Sequence, residues 1–186
     1  KKSPDTSLAR EVSGDFFSFY PHNDSIYFII ADVAGKGIHA GMVMAKASTL
    51  FEVLSQSKVD PDEMVFHMNN DLNNTKTGGM FVTSIVGEYN VISDELRWVN
   101  AGHQPAIIRD SLGKYSQVDS TAPPLGVIKH KDKNIYKINK IKLNGSRFYA
   151  FTDGLSESFN EEGNEIGIEG SIKTVSYKHL IAHESV

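Results

Sequence analysis

The stretch IYFIIADVAGKGIHAGMVMAKA, residues 26–47, changes from the pattern of a strand to the pattern of a helix. Residues 25–31 are apolar on both faces and rich in β-branched and aromatic side chains, which predicts a strand covered on both sides. Two glycines, Gly35 and Gly37, follow, and apolar residues then recur at helical spacing. Asp32 lies at the end of the strand, beside this glycine-rich turn. Its position raises the question why the chain carries a carboxylate out of a buried strand to this corner.

The spacing of apolar residues predicts two consecutive helices after the turn. The first runs from about Gly37 to Ser55, and the second covers residues 60–76, with Asp60 as N-cap and Pro61 at the first helical position. We expect the two helices to pack antiparallel on one sheet. Their predicted buried side chains are Val43, Leu50, Phe51, Val65, Met68 and Leu72.

From Met80 onward the sequence consists of short β-type segments separated by turn residues. The segments are residues 80–91, 95–101, 105–110, 114–119, 134–143 and 146–152. Asn144-Gly145 predicts a type I′ hairpin, and residues 166–183 predict a final helix. Strands, then two helices, then many strands are typical of α+β layers rather than of a doubly wound parallel sheet.

The composition excludes several function classes. A net charge of -4 provides no overall positive charge, so binding to nucleic acid or to an anionic membrane surface is not expected. The basic residues at 137, 140, 142 and 147 are interpreted as solvated side chains of an edge strand. The sequence has no cysteine, so any metal must be held by oxygen or imidazole ligands.

Residues 1–186 are predicted to form one domain, because no linker, repeat or low-complexity segment divides them. No apolar run approaches the ~20 residues of a membrane span, so we expect a cytoplasmic protein with no membrane contact from this domain. The sequence starts at Lys1 without a methionine, which is typical of a piece of a longer chain. A sensor domain preceding these residues is therefore one expectation.

Two further acids stand beside glycines at the margins of apolar segments. Asp153 directly follows the segment 146–152 and precedes Gly154, and Asp15 follows Gly14. Each acid alone has a structural explanation as a turn or cap residue. Three carboxylates brought together at strand ends would instead repel one another unless cations lay between them, and oxygen ligands favour Mg²⁺ or Mn²⁺.

The glycine-rich turn after Asp32 is not a phosphate-binding P-loop. That motif requires Ser or Thr after its lysine, and here Lys36 is followed by Gly37. A serine-hydrolase interpretation of Thr83 and Ser84 is weak, because no His/Asp partner is evident in the sequence.

Six segments, taken in order, resemble a known enzyme family: SGDFF, ADVAGKGIHAGMVMA, FVTSIVGEYN, WVNAGHQPAII, PPLGV and FYAFTDGLSESFNEEGNEIG. The family is the bacterial metal-dependent serine/threonine phosphatases of the stage II sporulation E and sigma-factor-regulator class, relatives of the type 2C protein phosphatases. The resemblance implies a four-layer αββα sandwich, in which two antiparallel sheets are flanked by helix pairs. It also implies two Mn²⁺ or Mg²⁺ ions between the edges of the sheets.

The resemblance assigns site residues position by position. Asp32 is the acid that bridges both ions, the carbonyl of Val33 supplies a further ligand, Asp153 binds the first ion, and Asp15 lies near the second. Asp32 and Asp153 are thereby the expected catalytic residues. The implied reaction is hydrolysis of phosphoserine or phosphothreonine by a metal-activated water, on a phosphorylated anti-sigma-factor antagonist or a similar signalling protein.

One departure from the family leaves alternatives open. The family ends in an Asp-Asp-x-Thr segment that completes the first ion's ligands, and this sequence contains no Asp-Asp pair. We therefore expect the C-terminal strands and one ligand to be missing, and this stretch alone to bind metal weakly. The rivals are a catalytically silent binding module with the phosphatase fold and a hydrolase of small phosphate esters. His39 and His103 are both interpreted as structural rather than catalytic.

Overall fold

A computed structural model describes residues 14–75, 78–156, 158, 165–167 and 170. The elements are β1 Phe16–His22, β2 Ser25–Val33, α1 Ile38–Gln56, α2 Pro61–Asn73, β3 Val82–Asn90, β4 Glu95–Ala101, β5 Ala106–Arg109, β6 Tyr115–Val118, a 3₁₀ turn Lys133–Ile135, β7 Asn139–Lys142, β8 Arg147–Tyr149 and α3 Asp153–Ser156. The strands form two antiparallel sheets, with strand orders β1-β2-β3-β4-β7 and β6-β5-β8.

This architecture confirms the predicted α+β fold with two antiparallel sheets. The pair α1 and α2 covers one face of the larger sheet, and the smaller sheet packs on its other face. The final helix predicted over residues 166–183 lies largely outside the described residues. In the part of the chain that is described, none of the helices combines the length and the apolar character that a membrane crossing requires.

Strand β2 is covered on both sides, as its apolar run predicts. Tyr27, Ile29, Ala31 and Val33 are buried under the helices. Phe28 points to the opposite face and contributes to the core between the sheets, where its ring centroid lies 6.0 Å from that of Phe148. Asp32 is the last polar residue of a strand that is held by both layers.

The two helices match their predicted positions closely, with two corrections. Leu50 is only half-buried, because the core face of α1 is formed by Ala40, Val43, Ala47 and Phe51. The small alanines on this face bring the helix backbone close to the sheet. Asp60 occupies the N-cap position of α2, yet its side chain caps no N–H and instead accepts a hydrogen bond from Arg97 at 2.9 Å.

The segment 134–143 was predicted to be one strand, and only its end is. It opens in the 3₁₀ turn, and β7 follows as an edge strand beside β4, with Lys140 and Lys142 exposed. The prediction of solvated lysines on an edge strand is thereby confirmed for these two residues.

The predicted Asn144-Gly145 hairpin is wrong, although its turn geometry is present. Both residues have positive φ, 45° and 82°, and the Ser146 N–H donates to the Leu143 carbonyl at 2.6 Å. The turn nevertheless joins β7 of the larger sheet to β8 of the smaller one. The change of sheet packs the partly buried Phe148 against the core between the layers, with its ring centroid 5.0 Å from that of Trp98.

Candidate metal centre

Strand pairing brings two of the three predicted acids to one end of the larger sheet. Asp15 immediately precedes β1, and β1 pairs with β2 so that Phe16 lies opposite Ala31. The antiparallel register therefore places Asp15 beside Asp32. The third acid, Asp153, comes from the segment that follows β8 in the smaller sheet.

The three carboxylates converge in space. One oxygen from each of Asp15, Asp32 and Asp153 lies within 4.8 Å of the other two, and all three residues are half-buried. The Thr152 hydroxyl donates a hydrogen bond to Asp15 Oδ2 at 3.0 Å. The structure thus brings together the acids singled out by the sequence, while their role as metal ligands stays a prediction.

Gly14 allows this convergence because two chain segments cross there at short distance. A β-carbon at this position would lie 2.5 Å from the Val33 carbonyl oxygen and 3.0 Å from Asp32 Oδ1. Such contacts are too short for any side chain, so the glycine permits the backbone before β1 to approach the end of β2. Gly37, with φ at 83°, then turns the chain into α1.

The electrostatics of the cluster are those of carboxylates forced together. Burial, a hydrogen bond with Asp15 and the negative charges of Asp15 and Asp153 raise the pKa of Asp32 to about 6. The Val33 N–H acts in the opposite direction. A divalent cation among these oxygens would offset the repulsion, and carboxylate oxygens are the ligands that Mg²⁺ and Mn²⁺ prefer. The residues present therefore fit such an ion.

A pocket of about 120 Å³ opens beside the acids. Its described lining consists of Asp32, Thr83, Gly102, His103, Gln104 and Asp153. Sequence reasoning missed Thr83 and Gln104 as pocket residues. The only available signals were the antiparallel register that sets Thr83 opposite Asp32, and the position of Gln104 next to the histidine of the NAGHQP segment.

The two histidines left open by the sequence differ in the structure. His39 is exposed on α1. His103 is buried, with 6% of its surface exposed, and burial lowers its pKa. It lines the pocket and makes hydrogen bonds through both ring nitrogens.

Comparison with known proteins agrees with the fold and with the motifs. Residues 22–185 match the family model described as stage II sporulation protein E (SpoIIE). The chain belongs to the SpoIIE family. The family resemblance predicted from the six motifs is thereby confirmed.

Among curated SpoIIE-type relatives, the chain is similar to the phosphoserine phosphatase RsbU of Bacillus subtilis (strain 168). The two are 28% identical over 160 residues, which is 83% of this chain and 46% of RsbU. The chain spans less than half the length of the curated relatives it matches.

Solved structures show the same SpoIIE-type fold. The RsbU and RsbW domains of Rv1364c from Mycobacterium tuberculosis superpose with a TM-score of 0.72 at 23% identity, covering 96% of this chain and 47% of that one. RsbX in complex with magnesium superposes with a TM-score of 0.66 at 18% identity, covering 91% and 83%. At these identities the structural similarity bears on the fold alone.

Proposed function

We propose that residues 1–186 are the catalytic domain of a metal-dependent protein phosphatase that hydrolyses phosphoserine or phosphothreonine. The observation that carries the proposal is the convergence of Asp15, Asp32 and Asp153 within 4.8 Å at one end of the sandwich. Membership of the SpoIIE family and similarity to a phosphoserine phosphatase support it.

The proposed cofactor is a pair of Mn²⁺ or Mg²⁺ ions. Asp32 would bridge the two, Asp153 and Asp15 would each hold one, and the Val33 carbonyl would add a ligand. When bound, such ions supply a water of lowered pKa and neutralise charge on the phosphoryl oxygens. The magnesium complex of RsbX, which has the same fold, supports the choice of ion.

The charges of the pocket support the proposal of bound cations. Its described lining contains two carboxylates, Asp32 and Asp153, and no lysine or arginine. A phosphate monoester carries up to two negative charges near pH 7 and would be repelled by these acids. The chain's own contribution is to hold the acids at the ends of paired strands and to line the pocket with the polar residues Thr83 and Gln104.

The proposed substrate is a phosphorylated antagonist of an anti-sigma factor, or a signalling domain of that type. The similarity to RsbU, and to a protein that has both RsbU and RsbW domains, supports a place in such a regulatory pathway. Because that partner acts with the transcription machinery, we place the reaction in the cytoplasm.

Hydrolysis assays with two substrates test the proposal. A phosphoserine-containing antagonist protein and a small aryl phosphate are each incubated with the full-length protein that contains residues 1–186, with Mn²⁺ or with chelator, and with Asp32→Asn as the matched variant. We expect Mn²⁺-dependent release of phosphate from the phosphoprotein, and its loss in the variant. Binding of the phosphoprotein without hydrolysis would indicate a silent module instead. Faster turnover of the aryl phosphate would indicate a small-ester hydrolase.

A further inference from the structure

His103 lies in the loop between β4 and β5, and both of its ring nitrogens have partners. Nδ1 is 2.9 Å from the Thr83 hydroxyl oxygen, and Nε2 is 3.1 Å from the Phe151 carbonyl oxygen. The ring is almost completely buried. A buried histidine with two short hydrogen bonds is held in one orientation.

The partners fix the tautomer of the ring. A carbonyl oxygen only accepts, so Nε2 carries the proton and donates to Phe151. Nδ1 is then the acceptor, and the Thr83 hydroxyl donates to it. The hydroxyl has a single proton, and its other acceptor, the Asp32 carbonyl, is more distant at 3.4 Å. Burial lowers the pKa of His103, in keeping with a neutral ring.

One partner is on the larger sheet and the other follows a strand of the smaller sheet, and each is close to a proposed metal ligand. Thr83 is the residue opposite Asp32 in the β2–β3 register. Phe151 follows β8 and precedes Asp153 by two residues. The imidazole therefore links β3, the strand that pairs with β2 at Asp32, to the segment that carries Asp153, across the gap where sheets are held together by side-chain packing.

The loop that carries the ring is itself held firmly. The buried Asn100 accepts from the His103 N–H at 2.9 Å and donates to the Gln104 carbonyl at 3.0 Å. Gly102 has φ at 70°, and a β-carbon there would lie 2.4 Å from Pro124 Cγ. The histidine is thus anchored at its backbone as well as at its ring.

We propose that His103 is a positioning residue that sets the separation of Asp32 and Asp153 and, through it, the metal affinity of the site. This inference rests on the proposed metal centre. A divalent ion requires its ligands at fixed distances, and partners outside the ligand set are commonly worth 10–100-fold in metal affinity. Thr83 is the second member of the same link.

Paired substitutions separate the two hydrogen bonds. In His103→Gln the side-chain amide reaches the position of Nε2 and keeps the donor to Phe151, whereas in His103→Asn the amide reaches only the position of Nδ1. Thr83→Val removes the hydroxyl at nearly constant shape, and Thr83→Ser keeps it. His67→Gln, at a histidine whose side chain is 51% exposed on α2, is the matched control.

The measurement is calorimetric titration of Mn²⁺ into the metal-free full-length protein that contains residues 1–186, with thermal melting in parallel. We expect His103→Asn to weaken Mn²⁺ binding by about 10-fold or more and His103→Gln to weaken it much less. Thr83→Val should weaken binding severalfold, with Thr83→Ser restoring it. The control should bind as the unmodified chain does.

Wild-type Mn²⁺ affinity in His103→Asn would overturn the inference while leaving the metal centre intact. If both His103 variants lost the same Mn²⁺ affinity, in proportion to their loss of melting temperature, His103 would have only a structural role. That result would also overturn the inference. If the His103 variants do not fold, the comparison of Thr83→Val with Thr83→Ser tests the proposal instead. Equal Mn²⁺ affinity in these two variants would overturn the proposal. Mn²⁺ binding by the unmodified chain that Asp32→Asn leaves unchanged would instead refute the metal centre.

Discussion

Two groups of carboxylates in this chain have opposite electrostatic surroundings. In the first, Arg97 on β4 donates to Asp60 at 2.9 Å and to Glu88 at 3.2 Å. The hydrogen bond and charge of Arg97 lower the pKa of Asp60. In the second, burial and the neighbouring Asp15 and Asp153 raise the pKa of Asp32 to about 6. The surroundings thus favour the charged form of Asp60 and disfavour the charged form of Asp32.

The difference separates a stabilising role from a functional one. The Arg97 group ties the start of α2 to the larger sheet, where a cation supplied by the chain neutralises the acids. At Asp32 the contributions that raise the pKa are burial and other acids, and only the Val33 N–H opposes them. Ionisable groups with unfavourable surroundings in a pocket are typical of sites where a ligand supplies what the chain does not.

Removing one acid from each group should separate activity from stability. We expect Asp32→Asn to lower Mn²⁺-dependent phosphatase activity by at least about 100-fold, because Asp32 is the proposed ligand of both ions. Asp60→Asn should leave turnover of the folded protein within about threefold. The measurement is phosphate release from the phosphoprotein at saturating Mn²⁺. Turnover by Asp32→Asn near that of the unmodified chain, with unchanged melting, would remove Asp32 from the site.

Removing the cation of the first group should destabilise the fold. Arg97→Met leaves the acceptors of Asp60 and Glu88 without this donor, and we expect a loss of about 1–3 kcal/mol in the free energy of unfolding. Lys140→Met, an exposed substitution opposite Arg97 in the β4–β7 pair, should change it by less than about 0.5 kcal/mol. Denaturant unfolding measures both, and equal effects would show that Arg97 contributes no more than a surface lysine.

Acid should weaken metal binding at the second group. Below a pH of about 6 Asp32 holds a proton that an incoming ion must displace. We therefore expect the apparent Mn²⁺ affinity to fall about tenfold between pH 7 and pH 5. Calorimetry in buffers of different ionisation enthalpy should show release of a proton near pH 6. An affinity that does not change over this range would contradict the assignment.

Without metal, the two groups should respond to acid in opposite directions. The pKa of Asp32 is raised on folding, so the folded state gains stability as pH falls from about 7 toward 4. Asp60 has a lowered pKa, so its contribution is present above pH 4 and is lost in stronger acid. Between pH 7 and pH 5 we expect the melting temperature of the unmodified chain to rise by about 2–4 °C. The melting temperature of Asp32→Asn should not show this rise. Scanning calorimetry with chelator measures both melting temperatures. The same dependence of melting temperature on pH in the two proteins would contradict the raised pKa of Asp32.

The sequence predicted the elements that depend on local pattern. The apolar run of β2, the glycine turn and α1 follow from periodicity, and α1 begins and ends within one residue of the predicted positions. The meeting of Asp15, Asp32 and Asp153 was implied by the family resemblance, since each acid alone is explained by a turn or a cap. Burial on α1 was predicted less well, because the apolar stripe does not reveal that Leu50 sits at its margin.

The features that escaped prediction depend on contacts between segments distant in sequence. Asn144-Gly145 has the local signature of a hairpin, yet β8 pairs with β5 of the smaller sheet, where Phe148 packs against the core between the sheets. Asp60 has the sequence signature of a helix cap, but its side chain accepts a hydrogen bond from Arg97, which is 37 residues away. The link from Thr83 through His103 to Phe151 joins three segments that are distant in the sequence. No local spacing of residues therefore predicts it.

Mn²⁺ titration of the metal-free chain tests the central claim most directly, because it asks whether the acidic group is a metal site at all. Binding is followed by the electron paramagnetic resonance of free Mn²⁺ at pH 7, for the unmodified full-length protein that contains residues 1–186 and for its Asp32→Asn and Asp60→Asn variants. We expect saturable binding in the unmodified full-length protein and in Asp60→Asn, and at least tenfold weaker binding in Asp32→Asn. Equal Mn²⁺ binding in all three proteins, or none in the unmodified full-length protein, would show that the three acids are not a metal site.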